Sequence, residues 1–156
     1  MLKAGQEFPS FELKDQNGKT VDMKSLINDW VVFYVYPKDD TPGCTIEGKQ
    51  FSASKGEFDK LNTRVFGISP DGVDSHKDFC NKFDFTIDLL ADTETSLLSA
   101  LGVGQSEYKG NMYWNRVSFL VAPGGKIVKT YESVKPDGHD QEVLKDLQAL
   151  QKQPVS

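Results

Sequence analysis

Two cysteines, Cys44 and Cys80, are the side chains of this 156-residue sequence best suited to covalent chemistry. Cys44 stands in the run Thr41-Pro42-Gly43-Cys44-Thr45, just past a polar loop, Lys38-Asp39-Asp40. Thr41 can cap a helix there, with Pro42 at the first helical position, where its missing N–H costs nothing. Cys44 then falls in the first turn, beside unpaired backbone N–H groups and the positive end of the helix dipole, which favour a thiolate. The plainer alternative is a cysteine that happens to stand at a helix start. Ionisation alone has bounded value: a thiol of pKa about 8.5 is about 3% ionised at neutral pH, so full ionisation gains about 30-fold at most. Some of that is returned, because nucleophilicity falls with pKa. A fast thiol enzyme therefore needs donors that hold the substrate and its leaving charge.

Cys80 shares a helical stripe with His76, Phe79 and Phe83, and on those residues alone a buried structural thiol is the favoured reading. Two cysteines are too few for a disulfide scaffold at this length. Other cysteine chemistries fit less well. A disulfide reductase wants C-x-x-C, but Thr45-Ile46-Glu47 follows Cys44. A cysteine hydrolase needs a paired histidine, and His76 and His139 lie in no recognisable motif and read as surface or helix residues. Zinc-ligand spacing is absent. Gly102, Gly104 and Gly110 mark loops.

The elements that must position these residues can be read from periodicity. Phe11–Leu13 and Thr20–Met23 flank an Asn17-Gly18 turn and form a small hairpin. Trp30–Tyr36 is β-branched and aromatic throughout, a central buried strand ended by Pro37. A helix from Pro42 to about Leu61 and a second core strand, Arg64–Ser69, follow. Next come a helix at Asp74–Phe83, a short strand at Ile87–Leu90 and a short helix at Glu94–Leu101. Val117–Val121 and Ile127–Tyr131 make a hairpin about Pro123-Gly124-Gly125, and Gln141–Gln151 is an amphipathic helix. This order predicts one α/β domain over residues 1–156, a mixed sheet with helices on both faces. The first crossover, being right-handed, opens the Cys44 loop at the carboxyl edge of the sheet, where such sheets bind ligands.

The net charge of -5 argues against a sequence-independent grip on nucleic acid. No apolar run has the length of a membrane span, and no signal peptide is visible, which points to the cytoplasm or to a trimmed mature chain.

The run Pro37-Lys38-Asp39-Asp40-Thr41-Pro42-Gly43-Cys44-Thr45-Ile46-Glu47 resembles the active-site loop of the peroxiredoxins, specifically the bacterioferritin comigratory protein, or Q-type, group. The likeness extends through Phe8–Phe11, Val65–Ser69 and Arg116–Leu120. It implies a thioredoxin-like fold, a central mixed sheet flanked by helices with an N-terminal hairpin, and a peroxidase that needs no cofactor or metal. By the same resemblance Cys44 is the peroxidatic cysteine, Thr41 the hydroxyl that bonds thiolate and peroxide, Pro42 the shield against water, and Arg116 the guanidinium on both. Pro37 and Glu47 complete the motif; Glu47, one turn past Cys44, would oppose ionisation if it faced the sulfur and is better matched to an arginine. Two departures stand out. Val117-Ser118 replaces the Ser-Thr that many relatives have after the arginine, and Tyr108–Asn115 is short, so roles for Lys109, Tyr113 or Trp114 stay open.

Many of the group carry a resolving cysteine five positions after the first, where this chain has Lys49. Cys80, thirty-six positions on, resembles the resolving cysteine of the subset that carries it in the following helix. The resemblance thus implies an intramolecular disulfide and recycling by thioredoxin or a similar dithiol. Bridging needs the two Cα atoms within about 7 Å, which two helices in ordinary geometry seldom allow, so oxidation is expected to unwind part of one or both. The intramolecular bridge and the short chain favour a monomer. A peroxide sensor or a redox chaperone with the same cysteine pair is the alternative.

Overall fold

The computed structural model describes residues 1–152; the last four residues of the expected domain lie outside the described residues. Strands β1 (Glu12–Lys14) and β2 (Thr20–Asp22) form the opening hairpin, followed by β3 (Trp30–Val35). Helices α1 (Pro42–Ala53) and α2 (Lys55–Lys60) lead to β4 (Thr63–Ser69), and α3 (Val73–Phe83) leads to β5 (Asp88–Ala91). Then come α4 (Ser96–Ala100), β6 (Gln105–Tyr108), β7 (Asn111–Trp114), β8 (Val117–Val121), β9 (Ile127–Tyr131) and α5 (His139–Lys152). Among the described residues, seven strands form one sheet in the order β2-β1-β5-β4-β3-β8-β9, while β6 and β7 pair only with each other. β3, β4 and β5 run parallel, and β8 returns antiparallel against β3.

Period-two alternation sorts the sheet into two apolar layers. Val31, Phe33 and Val35 of β3 face one side with Phe66, Ile68 and the α4 leucines Leu97 and Leu98. Val32, Tyr34 and Tyr36 face the other, where Phe51 and Phe58, Phe79, and Val143, Leu144 and Leu147 of α5 cover them. Helices therefore lie on both faces, as expected, and both cysteines belong to the second layer.

One expectation about the elements is corrected, and one segment left without an element is filled in. The single helix expected over 42–61 breaks at Ser54, whose buried hydroxyl is tied to Asp140 and Gln141 at the start of α5. The break keeps Phe51 and Phe58 on the same layer while the chain turns toward β4. The segment around Tyr108–Asn115 is a regular hairpin, with Lys109 and Gly110 both at positive φ in its two-residue turn.

Candidate active site

The site is assembled by strand register. Pro37 has no N–H, so the β3–β4 ladder stops after Tyr36 N–H, which donates to Ile68 O. The chain leaves the sheet edge, and Pro42 opens α1. Val117 of β8 pairs with Val35, which stations Arg116 beside that exit and over the first turn of α1.

Cys44 is 1% exposed, and Arg116 Nη2 donates to its Sγ at 3.3 Å. The other arm, Nη1, donates to Glu47 Oε1 at 2.7 Å. One guanidinium thus bridges the sulfur and a carboxylate one turn further along the same helix. Gly43 makes room for it: a Cβ there would stand 3.1 Å from Arg116 Nη2 and 3.2 Å from Pro136 Cγ. The Arg116 carbonyl accepts from Val134 N–H at 3.1 Å, so the β9–α5 connection frames the far side.

Glu47 is wholly buried, and its Oε2 finds no partner among the described residues. Burial pushes its carboxyl up to about 7; the Arg116 charge and hydrogen bond act the other way. The arginine partnership expected for Glu47 is what the geometry contains. Thr41 occupies the N-cap position with an extended backbone, but its side chain makes no capping bond; the hydroxyl donates to Lys38 O at 2.9 Å. The capping role read from sequence is corrected: the hydroxyl is turned back into the loop. Pro42 is exposed at the helix start.

Cys80 lies in the last turn of α3, 7% exposed. Burial, followed by the charges of Asp39, Asp88 and Asp15, pushes its thiol up to about 12. Its carbonyl accepts from Phe85 N–H at 3.0 Å across Asp84, which takes a left-handed conformation and ends the helix. Both thiols are free, and α1 and α3 are both intact around them.

Of the two readings given for the histidines, surface or helix, the helix one holds, His76 lying in α3 and His139 in α5, and the surface one is corrected: they are 0% and 2% exposed. His76 lies 2.7 Å by Nδ1 from Asp39 Oδ2 and 3.0 Å by Nε2 from Leu90 O. His139 meets Ser118 Oγ and Glu142 Oε1, each at 2.8 Å, and burial lowers its pKa. Neither pair was foreseen; the one signal was the place of His76 in the apolar stripe of α3. Lys109, Tyr113 and Trp114 belong to the β6–β7 hairpin, where Trp114 packs on the layer opposite Cys44.

A profile of the AhpC/TSA family matches residues 4–130. The chain is 39% identical over 142 residues to peroxiredoxin Bcp of Xanthomonas campestris, covering 87% of each sequence. The structure of a PrxQ mutant from Xylella fastidiosa superposes with a TM-score of 0.93 at 31% identity, covering 97% of this chain and 99% of that one. Two mutant structures of Xanthomonas campestris peroxiredoxin Q, both 34% identical, give TM-scores of 0.89 and 0.88. They cover 97% and 96% of this chain and 100% and 99% of theirs, and their replaced cysteines stand thirty-six positions apart. The expected thioredoxin-like fold is therefore present, and the chain belongs to the AhpC/TSA family as a peroxiredoxin of the bacterioferritin comigratory protein, or Q, type.

Proposed function

We propose that this chain is a thiol peroxidase acting on hydrogen peroxide and organic hydroperoxides, with Cys44 as the peroxidatic and Cys80 as the resolving cysteine. The carrying observation is Arg116, one arm on Cys44 Sγ and the other fixed by Glu47. In the first step the Cys44 thiolate attacks one peroxide oxygen; the S–O bond forms, the O–O bond breaks, and the departing oxygen leaves as water or alcohol after protonation. Cys44 is then a sulfenic acid. Arg116 neutralises charge on the sulfur before attack and on the departing oxygen after it, where a placed donor is worth most. Thr41 is the second donor once its hydroxyl turns from Lys38 O toward the substrate, while Pro37 ends the strand and Pro42 walls the loop.

In the second step Cys80 attacks the Cys44 sulfur, the S–S bond forms and hydroxide leaves as water. The intact state is not competent for this: a thiol held near 12 gives about one thiolate in 10⁵ at neutral pH. Bridging also needs the two Cα atoms within about 7 Å. Local unwinding answers both requirements. The thirty-six-residue cysteine spacing shared with the Xanthomonas protein supports Cys80 as the partner. Another structural study of that species' bacterioferritin comigratory protein concerns alkyl peroxide reduction, which supports organic hydroperoxides as substrates. Thioredoxin or a similar dithiol regenerates the pair. The enzyme works as a cytoplasmic monomer, since an intramolecular bridge needs no second copy.

The test compares Cys44→Ser with Cys80→Ser in a thioredoxin-coupled peroxide assay. The first loses all turnover. The second consumes one equivalent of peroxide and then stalls as sulfenic acid; undiminished recycling in Cys80→Ser would refute the resolving role. A sensor would consume peroxide only stoichiometrically, even with thioredoxin present.

A further inference from the structure

We propose that Asp39 and His76 are positioning residues for the resolving step: they latch the loop ahead of Cys44 to the helix that carries Cys80, and this latch opens before the sulfurs meet. The inference rests on the reading of Cys80 as the resolving thiol.

Asp39 sits two residues before Thr41, and His76 one helical turn before Cys80. Their side chains are 4% and 0% exposed, and they meet at 2.7 Å. Every side-chain polar atom of the pair is engaged. Asp39 Oδ1 accepts from the Tyr36 hydroxyl at 2.6 Å, and Oδ2 also accepts from the Ser75 hydroxyl at 2.8 Å. The Asp39 N–H donates to Asp71 Oδ2 at 2.8 Å, and the same oxygen accepts from Ser69 Oγ at 2.8 Å. His76 Nε2 faces the Leu90 carbonyl, which can only accept, so that nitrogen carries a proton. A second proton then lies on the Nδ1–Asp39 contact, a charge-assisted bond shielded from water. One cluster therefore ties together the end of β3, the catalytic loop, the first turn of α3 and the end of β5.

The remaining polar ties between these regions are weaker. The Lys82–Asp40 ion pair, at 2.7 Å, has side chains 59% and 48% exposed, where such pairs contribute little. His76 is also no base for Cys80 in this state, because both ring nitrogens are already occupied. Its effect is on movement. While the cluster is closed, Asp39 is also the strongest of the charges opposing ionisation of Cys80. Release of the loop would both free the helix and withdraw that carboxylate.

The decisive experiment is a single-turnover reaction with stoichiometric hydrogen peroxide. It is quenched over time and read by mass spectrometry for thiol, sulfenic acid and disulfide in wild type, Ser75→Ala, His76→Gln and Cys80→Ser. Ser75→Ala removes one hydrogen bond from an exposed helix position and is expected to speed disulfide formation roughly threefold to tenfold. His76→Gln removes the charge-assisted bond and is expected to speed it roughly tenfold to 100-fold. Sulfenic acid formation stays within about threefold of wild type in both, and sulfinic acid at excess peroxide declines as resolution quickens. A purely structural pair would lower the melting temperature and leave the disulfide phase unchanged, which overturns the latch, as does a slower phase. Should His76→Gln fail to fold, Ser75→Ala decides alone. If wild type turns over without a Cys44–Cys80 disulfide, the resolving role fails and the latch with it. If that disulfide forms but neither variant quickens it, only the latch fails.

Discussion

Cys44 and Cys80 lie in the same apolar layer and are almost equally withdrawn from solvent, yet their surroundings are opposite in sign. Cys44 occupies the first turn of a helix, at the positive end of its dipole, with a guanidinium on its sulfur. Cys80 occupies the last turn of a helix, at the negative end, with three carboxylates bearing on it. Burial is common to both and is the largest influence that keeps Cys80 protonated, so the contrast lies in what accompanies it: a guanidinium and a helix N-terminus at Cys44, carboxylates and a helix C-terminus at Cys80. The difference also divides the catalytic cycle in time. One cysteine is equipped in this conformation, and the other stays protonated until the conformation changes. Under the proposed cycle, a sulfenic acid on Cys44 has a lifetime set by motion.

Removing the cation should weaken the contrast most. Arg116→Gln is expected to slow sulfenic acid formation by roughly 10²- to 10³-fold in stopped-flow measurements, since an oriented charged donor is lost from the reacting atoms. Arg116→Lys keeps the charge but cannot fork between Cys44 and Glu47, and should recover only part of that loss. Disulfide formation once sulfenic acid is present should be much less affected by either change.

Glu47→Gln should have a smaller kinetic effect, less than about tenfold, because the amide oxygen still accepts from Arg116. Its larger signature is in stability against pH. Burial raises the folded carboxyl to about 7, so between the ordinary glutamate value and that point the folded chain holds a proton the unfolded chain releases. Stability from this group falls as pH rises through that window, by up to about 3 kcal/mol, and should be lost from the slope in Glu47→Gln. His139 contributes the reverse slope, its folded pKa being depressed by burial. Denaturant titrations of wild type minus variant across pH 4 to 8, roughly the range in which both groups titrate, isolate the Glu47 contribution.

The smallest expected change concerns Cys80. Asp88→Asn removes one of the carboxylates that keep its thiol protonated. Because the Asp88 side chain is 37% exposed, its field is screened. Disulfide formation should quicken only about twofold to threefold in quenched single-turnover samples. A slower disulfide phase would mean that Asp88 helps to position Cys80.

What was legible in the sequence was local. Thr41 to Cys44 announced a helix start because cap position, proline and cysteine are neighbours in the chain, and Trp30–Tyr36 announced a core strand by composition. Arg116 was different: its place over Cys44 depends on Val117 pairing with Val35, a non-local register, and only the family resemblance pointed to it. The break at Ser54 depends on Asp140 and Gln141, equally distant in sequence. His76 looked like an ordinary member of an amphipathic stripe because its partner, Asp39, lies on a loop in the other half of the site. The β6–β7 hairpin was missed because β6 is polar and exposed throughout and β7 is only four residues long, although Lys109-Gly110 supplies a recognisable turn. Thr41 illustrates the remaining difficulty: a position can be right while the rotamer follows a competing acceptor, here Lys38 O.

Gly48 gives α1 a conditional character. A Cβ at this position would stand 2.4 Å from the Phe85 ring, so the absence of a side chain is what lets the segment after α3 lie flat on α1. The same absence costs the helix about 1 kcal/mol of intrinsic propensity relative to alanine. While Phe85 is seated, tertiary packing compensates for that deficit. Once the end of α3 lifts away, the turn following Cys44 is left with a glycine and no lid, so the helix is borrowed from its neighbour. Under the proposed cycle, departure of one element would prepare the collapse of the other, and two separate unwinding events would become one cooperative transition.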